Sequence, residues 1–407
     1  MASSFWGNGQ VNRKLHVLMI SNERPSKCRQ RAYPIAKSLV ERGHDVTLML
    51  IAERRRLGVV EGYWDGVWTV ESPDLLWGRL RSGWDPWNTL NRALYLRADR
   101  RPYDLIFCWE TRPATIHPAL LHKRRHNLPL ITDWMDWWGR GGIIDEFRPG
   151  WYRVLFGRIE TYYEEAFRAR MEGLTVISTA LAKRAVGLGV QPERILHLPN
   201  GTDPEHFNVP DSAACRRKVG LDLDGPIIGY ASQDTHFDLA PMIEVLARVV
   251  RRFPHARLLV TGKAPKQIAK LARASGVGRN LILTGFLPYE EFPWYLGSAD
   301  LFVMPFPETV YNIGRWPSKV GAYMSVGRPT VSNPTGDVKG LFEKHNIGRL
   351  AEWDPEDFCR QIIFLLEHPE VAQQLGENAR RAAVTEYDWK VLTRKLESFF
   401  YRILGMA

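Results

Sequence analysis

The chain has 407 residues, too many for one ordinary hydrophobic core, so its length favours two domains. Hydrophobic residues make up 45% and charged residues 25%, proportions that are typical of folded globular proteins and exclude a disordered chain. The formal net charge of +10 fits nucleic acid, anionic lipid, a phosphorylated ligand or a merely solvated surface. Because no nucleic-acid motif is present, a solvated surface is the first interpretation, and anionic lipid or a phosphate-bearing ligand comes next.

The cysteines and the apolar runs bear on the location of the protein. The four cysteines, at positions 28, 108, 215 and 359, include no C-x-x-C pair, which argues against a zinc site or a disulfide framework. Residues 1–12 lack the apolar core of a secretion signal, and no uncharged apolar run reaches about 18 residues. We therefore expect a cytoplasmic protein, at most peripheral to the inner face of a membrane.

Short apolar runs alternate with helix-like stretches along the first half of the chain. Residues 15–20 predict a strand, 32–42 a helix and 45–51 a second strand, which together predict a right-handed β-α-β unit with parallel strands. Further strands are predicted at 104–108, 128–132 and 173–178. The pattern is typical of a doubly wound α/β sheet.

The same pattern begins again after residue 203. Strands are predicted at 226–230, 256–261, 281–284, 301–304 and 330–332, with a helix near 241–253 and a final amphipathic helix at about 388–404. Ligands of such sheets bind beyond the C-terminal ends of the strands. We therefore expect the functional residues in a cleft between two α/β domains.

Four segments of the second half carry a resemblance to a known family. They are Ile195-Leu-His-Leu-Pro-Asn-Gly-Thr-Asp203; Leu283-Thr-Gly-Phe286 with Leu296 to Pro305; Pro317-Ser-Lys-Val-Gly-Ala-Tyr-Met-Ser-Val-Gly-Arg-Pro-Thr-Val331; and Tyr387-Asp-Trp389. In this order and spacing they resemble glycosyltransferase family 4, the group 1 retaining enzymes. The resemblance implies a GT-B fold, with two Rossmann-like doubly wound domains facing across a cleft. It also implies an acceptor-binding domain at 1–200, a donor-binding domain at 201–385 and a helix at 386–407 that crosses back to the N-terminal domain.

The resemblance implies where a nucleotide-sugar donor binds. Lys319 matches the lysine of the family's donor segment and is the candidate for a diphosphate contact and for catalysis, with Arg315 nearby; a solvated charge is the alternative. Asn312 and Gly314 lie in a loop, between a predicted strand and a helix, that either presents its amides to the donor or forms an ordinary turn. Gly314 would permit close backbone approach.

Two glutamates that many family members carry, eight residues apart, correspond here to Gly314 and Ala322. Their absence implies that donor binding differs from the family's pattern or is lost. Glu308 and Asp337 are the candidates to replace them, although exposed acids in loops are more often simply solvated.

In the N-terminal half, Asp133 and Asp136 follow a predicted strand and are the candidate catalytic carboxylates. The resemblance implies that Asp136 orients or deprotonates the acceptor hydroxyl, whereas capping of the next turn is the alternative for either residue. Their spacing is not D-x-D, so we expect no metal.

Several basic residues in the N-terminal half are candidate anion ligands. Arg140, which is followed by Gly141 and Gly142, suits a phosphate in the cleft, and Arg112 is a second candidate; each is equally suited to a structural ion pair. A segment rich in tryptophan and arginine fits a membrane interface or sugar stacking, or alternatively a core or a lid. Its members are Trp64, Trp68, Trp77, Trp84 and Trp87, with Arg79, Arg81 and Arg92.

The resemblance therefore implies a retaining, metal-independent hexosyltransferase that needs no cofactor. Its substrates would be a nucleotide-sugar donor and a glycan, lipid-linked or small-molecule acceptor, in the synthesis of a surface polysaccharide or glycolipid, with peripheral membrane contact and no nucleic-acid partner. Two alternatives stay open. A non-catalytic GT-B binding or scaffold protein is favoured by the missing glutamates, and a nucleotide-sugar epimerase shares the fold.

Overall fold

A computed structural model describes residues 13–76, 80–221, 224–233 and 236–406. Residues 1–12, Trp77 and Arg79, on which parts of the sequence interpretation depend, lie outside these ranges. The chain forms two compact units. The first runs to Asp133 and adds Met171–Gly173 and the segment from Glu397 onward, while the second holds Trp134–Arg170 and Leu174–Leu396. The domain boundaries after residues 200 and 385 concern ligand-binding roles, and they stay a prediction.

The first unit is built around a sheet whose strands follow the order β3-β4-β2-β1-β5-β6. The strands are β1 His16–Ile20, β2 Asp45–Ile51, β3 Val60–Trp64, β4 Val67–Ser72, β5 Leu105–Trp109 and β6 Leu130–Trp134; the helices are α1 Pro25–Cys28, α2 Ala32–Glu41, α3 Pro86–Ala98 and α4 Pro113–His126. Strand β1 pairs in parallel with β2 and β5, as the β-α-β pattern predicts. Continuous apolar runs such as β5 are buried along their whole length, because helices cover both faces of a parallel sheet.

The hairpin of β3 and β4 was not predicted, although the sequence contains its turn. Asp65 and Gly66 both have positive φ, the conformation that a tight two-residue hairpin turn requires. Trp64 stacks on Tyr33, with ring centroids 3.9 Å apart. The tryptophan segment therefore begins as a packed hairpin.

Arg92 corrects the membrane interpretation of the tryptophan segment. Its side chain is completely buried and donates to Ser72 Oγ at 2.7 Å and to the Ala114 carbonyl at 3.0 Å. A guanidinium enclosed in this way joins β4, α3 and α4 and cannot contact lipid. Trp64, Trp68, Trp84 and Trp87 are each half-buried, which agrees with the structural interpretation of this segment.

The second unit contains a parallel sheet of order β11-β10-β9-β12-β13-β14 and the parallel pair β7-β8. Its strands are β7 Gly173–Val176, β8 Ile195–His197, β9 Ile227–Gln233, β10 Arg257–Lys263, β11 Leu281–Gly285, β12 Leu301–Met304, β13 Thr330–Ser332 and β14 Gly348–Leu350. Its helices are α5 Ile143–Phe147, α6 Gly150–Glu165, α7 Thr179–Gly187, α8 Ser212–Val219, α9 His236–Arg252, α10 Lys266–Ala274, α11 Phe292–Gly297, α12 Val310–Gly314, α13 Ser318–Ser325, α14 Asp337–His345, α15 Pro355–Glu367 and α16 Pro369–Thr385. Helix α17, Trp389–Ile403, starts in this unit and ends in the first.

Within the first unit, the end of α17 is fixed by a buried carboxylate. Glu397 accepts hydrogen bonds from Arg42 and pairs with His44, whose Nε2 lies 2.8 Å from Glu397 Oε1. Phe400 packs edge-on against Phe107 of β5, with ring centroids 5.5 Å apart. These contacts are made by residues far apart in the sequence.

Helix α13 is fixed over the C-terminal end of β9. The Tyr323 ring stacks on Phe302 of β12 at 3.9 Å, and its hydroxyl accepts a hydrogen bond of 2.7 Å from the Ala231 backbone N–H. The start of α13, which carries Lys319, therefore has a fixed place beyond the strands, where ligands of doubly wound sheets bind.

Candidate functional site

Lys319 lies near the N-terminus of α13, against the ring of Tyr230. Its Nζ lies 4.2 Å from the ring centroid, a cation–π distance. Burial lowers the pKa of Lys319 to about 8; the Arg315 charge acts in the same direction, while Asp238 opposes both. A desolvated ammonium beside a second cation favours an anionic ligand, because an anion would relieve both the desolvation and the repulsion.

Arg315 lies between α12 and α13 among aromatic side chains. Its Nη1 donates to the Tyr311 hydroxyl at 2.7 Å, and its guanidinium lies 4.1 Å from the Tyr311 ring centroid. Burial raises the pKa of Tyr311, and the charge of Asp136 adds to that effect, while Arg315 opposes it. The structure therefore brings Lys319, Arg315 and the charge of Asp136 into one electrostatic neighbourhood.

Tyr230 and Asp238 belong to this neighbourhood and were not predicted. The Tyr230 hydroxyl lies 3.3 Å from Asp238 Oδ2, and both side chains are buried. The available signal was their position, since Tyr230 lies in β9 and Asp238 lies in α9, the helix that follows it. The cluster therefore holds two cations, Lys319 and Arg315, and two acids, Asp238 and Asp136.

The segment that contains Asn312 and Gly314 was predicted as a loop, and this was wrong in part, because residues 310–314 form the short helix α12. Glu146 caps that helix, accepting from the Val310 N–H at 2.6 Å and the Tyr311 N–H at 2.9 Å. Asn312 is buried and donates to the Pro307 carbonyl at 2.8 Å. Thr309 is the local N-cap, with its Oγ1 accepting from the Asn312 N–H at 3.1 Å, and this signal in the sequence was not used.

The side chain of Trp137 packs directly against the backbone at Gly314. A Cβ placed on Gly314 would lie 2.8 Å from the Cβ of Trp137, and the Gly314 carbonyl accepts from Ser178 Oγ at 2.9 Å. Trp137 therefore occupies the space into which a side chain at position 314 would point. The glycine that stands here in place of the family's glutamate leaves room for the Trp137 side chain.

The two candidate substitute carboxylates have different surroundings. Glu308 is exposed just before α12. Asp337, at the start of α14, accepts from the Thr179 N–H at 2.8 Å and lies 3.5 Å from His197 Nε2, contacts that lower its pKa. Asp337 thus joins α7 to α14, which is a structural role.

Asp133 is completely buried and forms a bidentate ion pair with Arg31 of the first unit. Arg31 Nε donates to Oδ2 and Nη2 to Oδ1, each at 2.8 Å. Both carboxylate oxygens therefore face a buried guanidinium, an ion pair that the sequence analysis did not include, and the catalytic role of Asp133 stays a prediction. Asp136, three residues later, is half-buried, and its backbone carbonyl accepts from Trp134 Nε1 at 2.9 Å.

The glycines after Asp136 serve close packing. A Cβ on Gly142 would lie 2.2 Å from the Trp137 carbonyl oxygen, and Gly141 has positive φ. Arg140 is 77% exposed and lies 3.5 Å from Glu165. It lines a groove along α6 with Arg153 and Arg158, so the structure does not place it with Lys319 and Arg315.

Arg112, in the first unit, precedes α4. Its Nη1 donates to the Ser82 carbonyl at 2.9 Å, and the residue is only 9% exposed. Glu23, which the sequence did not single out, lies in the same region, where burial raises its pKa to about 8 while Arg31 and Arg112 oppose the shift. A buried carboxyl with such a pKa is a candidate functional group of this unit.

Comparison with solved structures defines the class of fold. The crystal structure of WaaG, a glycosyltransferase involved in lipopolysaccharide biosynthesis, matches with a TM-score of 0.71 at 17% identity, over 95% of this chain and 100% of that one. Anabaena Alr3699/HepE, solved in complex with UDP-glucose, matches with a TM-score of 0.68 at 14% identity, again over 95% and 100% of the two chains. The fold is GT-B, as predicted.

Family comparison then identifies the chain more closely. The model described as Glycosyltransferase Family 4 matches residues 30–206, and the model described as Glycosyl transferases group 1 matches residues 211–382. Together they cover more than four fifths of the sequence. The chain belongs to the group 1 glycosyltransferases of family 4, which confirms the resemblance.

The curated relatives align with this chain over only part of their own length. D-inositol 3-phosphate glycosyltransferase of Segniliparus rotundus is 25% identical over 212 residues, which are 49% of this chain and 45% of that protein. The chain spans about half the length of the curated relatives it matches. Among the described residues, no helix has both the length and the apolar character to cross a bilayer.

Proposed function

We propose that the protein is a retaining glycosyltransferase that binds a nucleotide-sugar in its second unit, with the donor diphosphate against Lys319 and Arg315. The observation that carries the proposal is the pair of cations beyond the C-terminal end of β9, where a buried lysine with a lowered pKa feels the charge of an arginine. Family membership and the UDP-glucose complex of the HepE structure support a nucleotide-sugar as the anion.

The proposed chemistry uses the cations to stabilise the leaving group. The bond between the sugar C1 and the diphosphate oxygen breaks as the acceptor oxygen attacks C1 from the same face, and the acceptor proton passes to the departing phosphate. Negative charge grows on the diphosphate during this step, so a fixed ammonium and guanidinium lower the barrier. Asp136 orients the acceptor hydroxyl. The mechanism requires no metal or cofactor.

The acceptor in this proposal is a glycan, a lipid-linked sugar or a small phosphate-bearing molecule, in surface polysaccharide or glycolipid synthesis at the inner face of a membrane. The resemblance to WaaG supports this setting, and the D-inositol 3-phosphate relative supports a phosphate-bearing acceptor. The net charge of +10 favours binding of an anionic lipid or of a phosphate-bearing acceptor.

A second candidate, a GT-B binding protein without catalysis, is favoured by one observation. The family's glutamate is replaced by Gly314, and Trp137 fills the space beside it, so the donor sugar loses a carboxylate partner. Such a protein would bind a nucleotide through Lys319 without turnover.

The test is thermal stabilisation and nucleotide release with UDP-, GDP- and ADP-sugars. Lys319→Ala is expected to lose both responses, whereas Lys339→Ala, which removes an exposed lysine of α14, is expected to retain them. Nucleotide release that depends on Lys319 and on one donor supports the transferase. Stabilisation without release supports the binding protein, and no response to any donor contradicts both.

A further inference from the structure

Helix α6 has its acids turned inward and its apolar side chains turned outward. The buried residues of this helix are two glutamates, Glu160 and Glu164. Glu164 accepts hydrogen bonds from the backbone N–H groups of Trp138 and Gly139, at 2.7 and 2.6 Å. The inner face of α6 is therefore a polar support for the loop that follows β6, the reverse of an ordinary surface helix.

The outer face of α6 is an apolar stripe. Its members recur at intervals of three and four residues, so they lie on one side of the helix. They are Trp151, 63% exposed; Val154, 79%; Leu155, 61%; Ile159, 45%; and Tyr162, 56%. An apolar stripe of about three helical turns in contact with water marks an interaction surface.

Arginines accompany the stripe. Arg158 is exposed within it, three residues after Leu155 and four before Tyr162, whereas the exposed Arg153 lies on the other side of the helix. A groove of about 690 Å³ along α6 is lined by Arg140, Arg153 and Arg158. Cationic and apolar side chains thus share one surface.

The acids near this surface are held by other contacts. Glu165 pairs with Arg184 at 2.6 Å and with Arg140 at 3.5 Å, and Asp145 accepts from the Gly141 N–H at 2.6 Å. Glu146 caps α12. The charge presented outward by α6 is therefore positive, which is complementary to an anionic surface.

We propose that α6 docks on an anionic lipid bilayer, with the apolar stripe at the boundary between headgroups and acyl chains and Arg158 against lipid phosphates. An amphipathic helix with apolar and basic residues on its outer side binds membranes in this way. A second copy of the chain fits less well, because a symmetric contact would bring the two Arg158 side chains into one apolar interface. The inference rests on the proposed function, because a protein docked on a bilayer would meet an acceptor that is carried by a lipid. Its test requires no sugar transfer.

The experiment is co-sedimentation of the full chain with vesicles of phosphatidylcholine alone or mixed with phosphatidylglycerol. Binding to the mixed vesicles, weakened by salt, is expected. The double variant Val154→Ser/Leu155→Ser is expected to lower the partition coefficient about tenfold or more, and Arg158→Gln to lower it roughly fivefold. The matched control is Leu90→Ser/Leu94→Ser, which removes two exposed leucines from α3.

Several outcomes would overturn the proposal. They are absence of wild-type binding to the mixed vesicles, equal binding by the α6 variants, and equal loss in the α3 control. Concentration-dependent dimers that the α6 variants dissociate would assign the stripe to a second copy. Unchanged thermal midpoints would show that the variants fold, and nucleotide release without vesicles would report separately on the proposed function.

Discussion

Asp133 and Asp136 lie three residues apart but differ in burial and in the partners of their side chains. Asp133 is completely buried, and both of its carboxylate oxygens accept hydrogen bonds from Arg31. Asp136 is half-buried, and its charge contributes to the raised pKa of Tyr311. A buried ion pair is costly to disrupt from one side, because the remaining charge has no compensation. The ion pair therefore gives Asp133 a structural role, and the catalytic role of Asp136 stays a prediction.

The substitution Asp133→Asn should lower the free energy of unfolding by about 3–5 kcal/mol, because Arg31 would remain buried without its charge partner. Urea unfolding measures this change. The matched variant Asp136→Asn should alter stability by less than about 1 kcal/mol while it reduces turnover. Equal midpoints for wild type and Asp133→Asn would refute the structural assignment.

The lowered pKa of Lys319 predicts two opposite effects of pH. Between about pH 8 and the ordinary lysine pKa of 10.5, the folded protein binds fewer protons than the unfolded chain, so this residue makes the free energy of unfolding rise with pH. Nucleotide affinity should fall across the same window, because the ammonium is lost. Calorimetric titration with a nucleoside diphosphate and urea unfolding at several pH values measure the two effects. Lys319→Met should remove the contribution of this residue to both slopes, and slopes equal to those of wild type would contradict the prediction.

At the scale of elements, the loop between β6 and α5 and the helix α12 form one packed assembly within the second unit. Trp137 lies against both Gly142 and Gly314, and Glu146 caps α12. The position of Arg315, at the end of α12, thus depends on residues more than 160 positions earlier in the chain. Contacts with residues so distant in the sequence could not be predicted from residues 312–318 alone.

The substitution Gly142→Ala should destabilise the protein by about 1–3 kcal/mol and weaken nucleotide binding, because its Cβ would meet the Trp137 carbonyl oxygen at 2.2 Å. The matched control is Gly340→Ala within α14, where no atom lies within 4 Å of the added Cβ. That change should be neutral or stabilising by up to about 1 kcal/mol. Thermal unfolding and donor titration of both variants would test the pair, and equal effects would contradict the packing argument.

At the scale of the whole molecule, all four cysteines are buried and unlinked. Burial raises the pKa of the Cys28, Cys215 and Cys359 thiols, so these thiols are protonated at neutral pH. The native protein should therefore react slowly with a thiol reagent and should reveal four thiols after unfolding in denaturant. A reductant should leave the unfolding midpoint unchanged. Rapid reaction of the native protein, or a count below four, would contradict this prediction.

The sequence by itself determined the alternation of strands and helices. Strands β2, β12 and β13 have the predicted bounds, because continuous apolar runs in a parallel sheet are set by local composition. The family motifs also placed Lys319 at the start of a helix beyond a strand. The turn residues Asp65 and Gly66 offered the hairpin signal for β3 and β4, which was not used.

Only the tertiary structure decided what each polar side chain touches. Asp133 and Asp136 look alike in sequence, and the difference between them comes from Arg31, 102 residues away. The apolar stripe of α6 has the spacing of a buried face, yet it lies in water because Glu160 and Glu164 take the inner side. Periodicity is a local property that sets helices and strands, whereas burial and charge pairing depend on contacts between distant segments. The sequence therefore predicted the fold, but it did not predict which of these side chains are buried or paired.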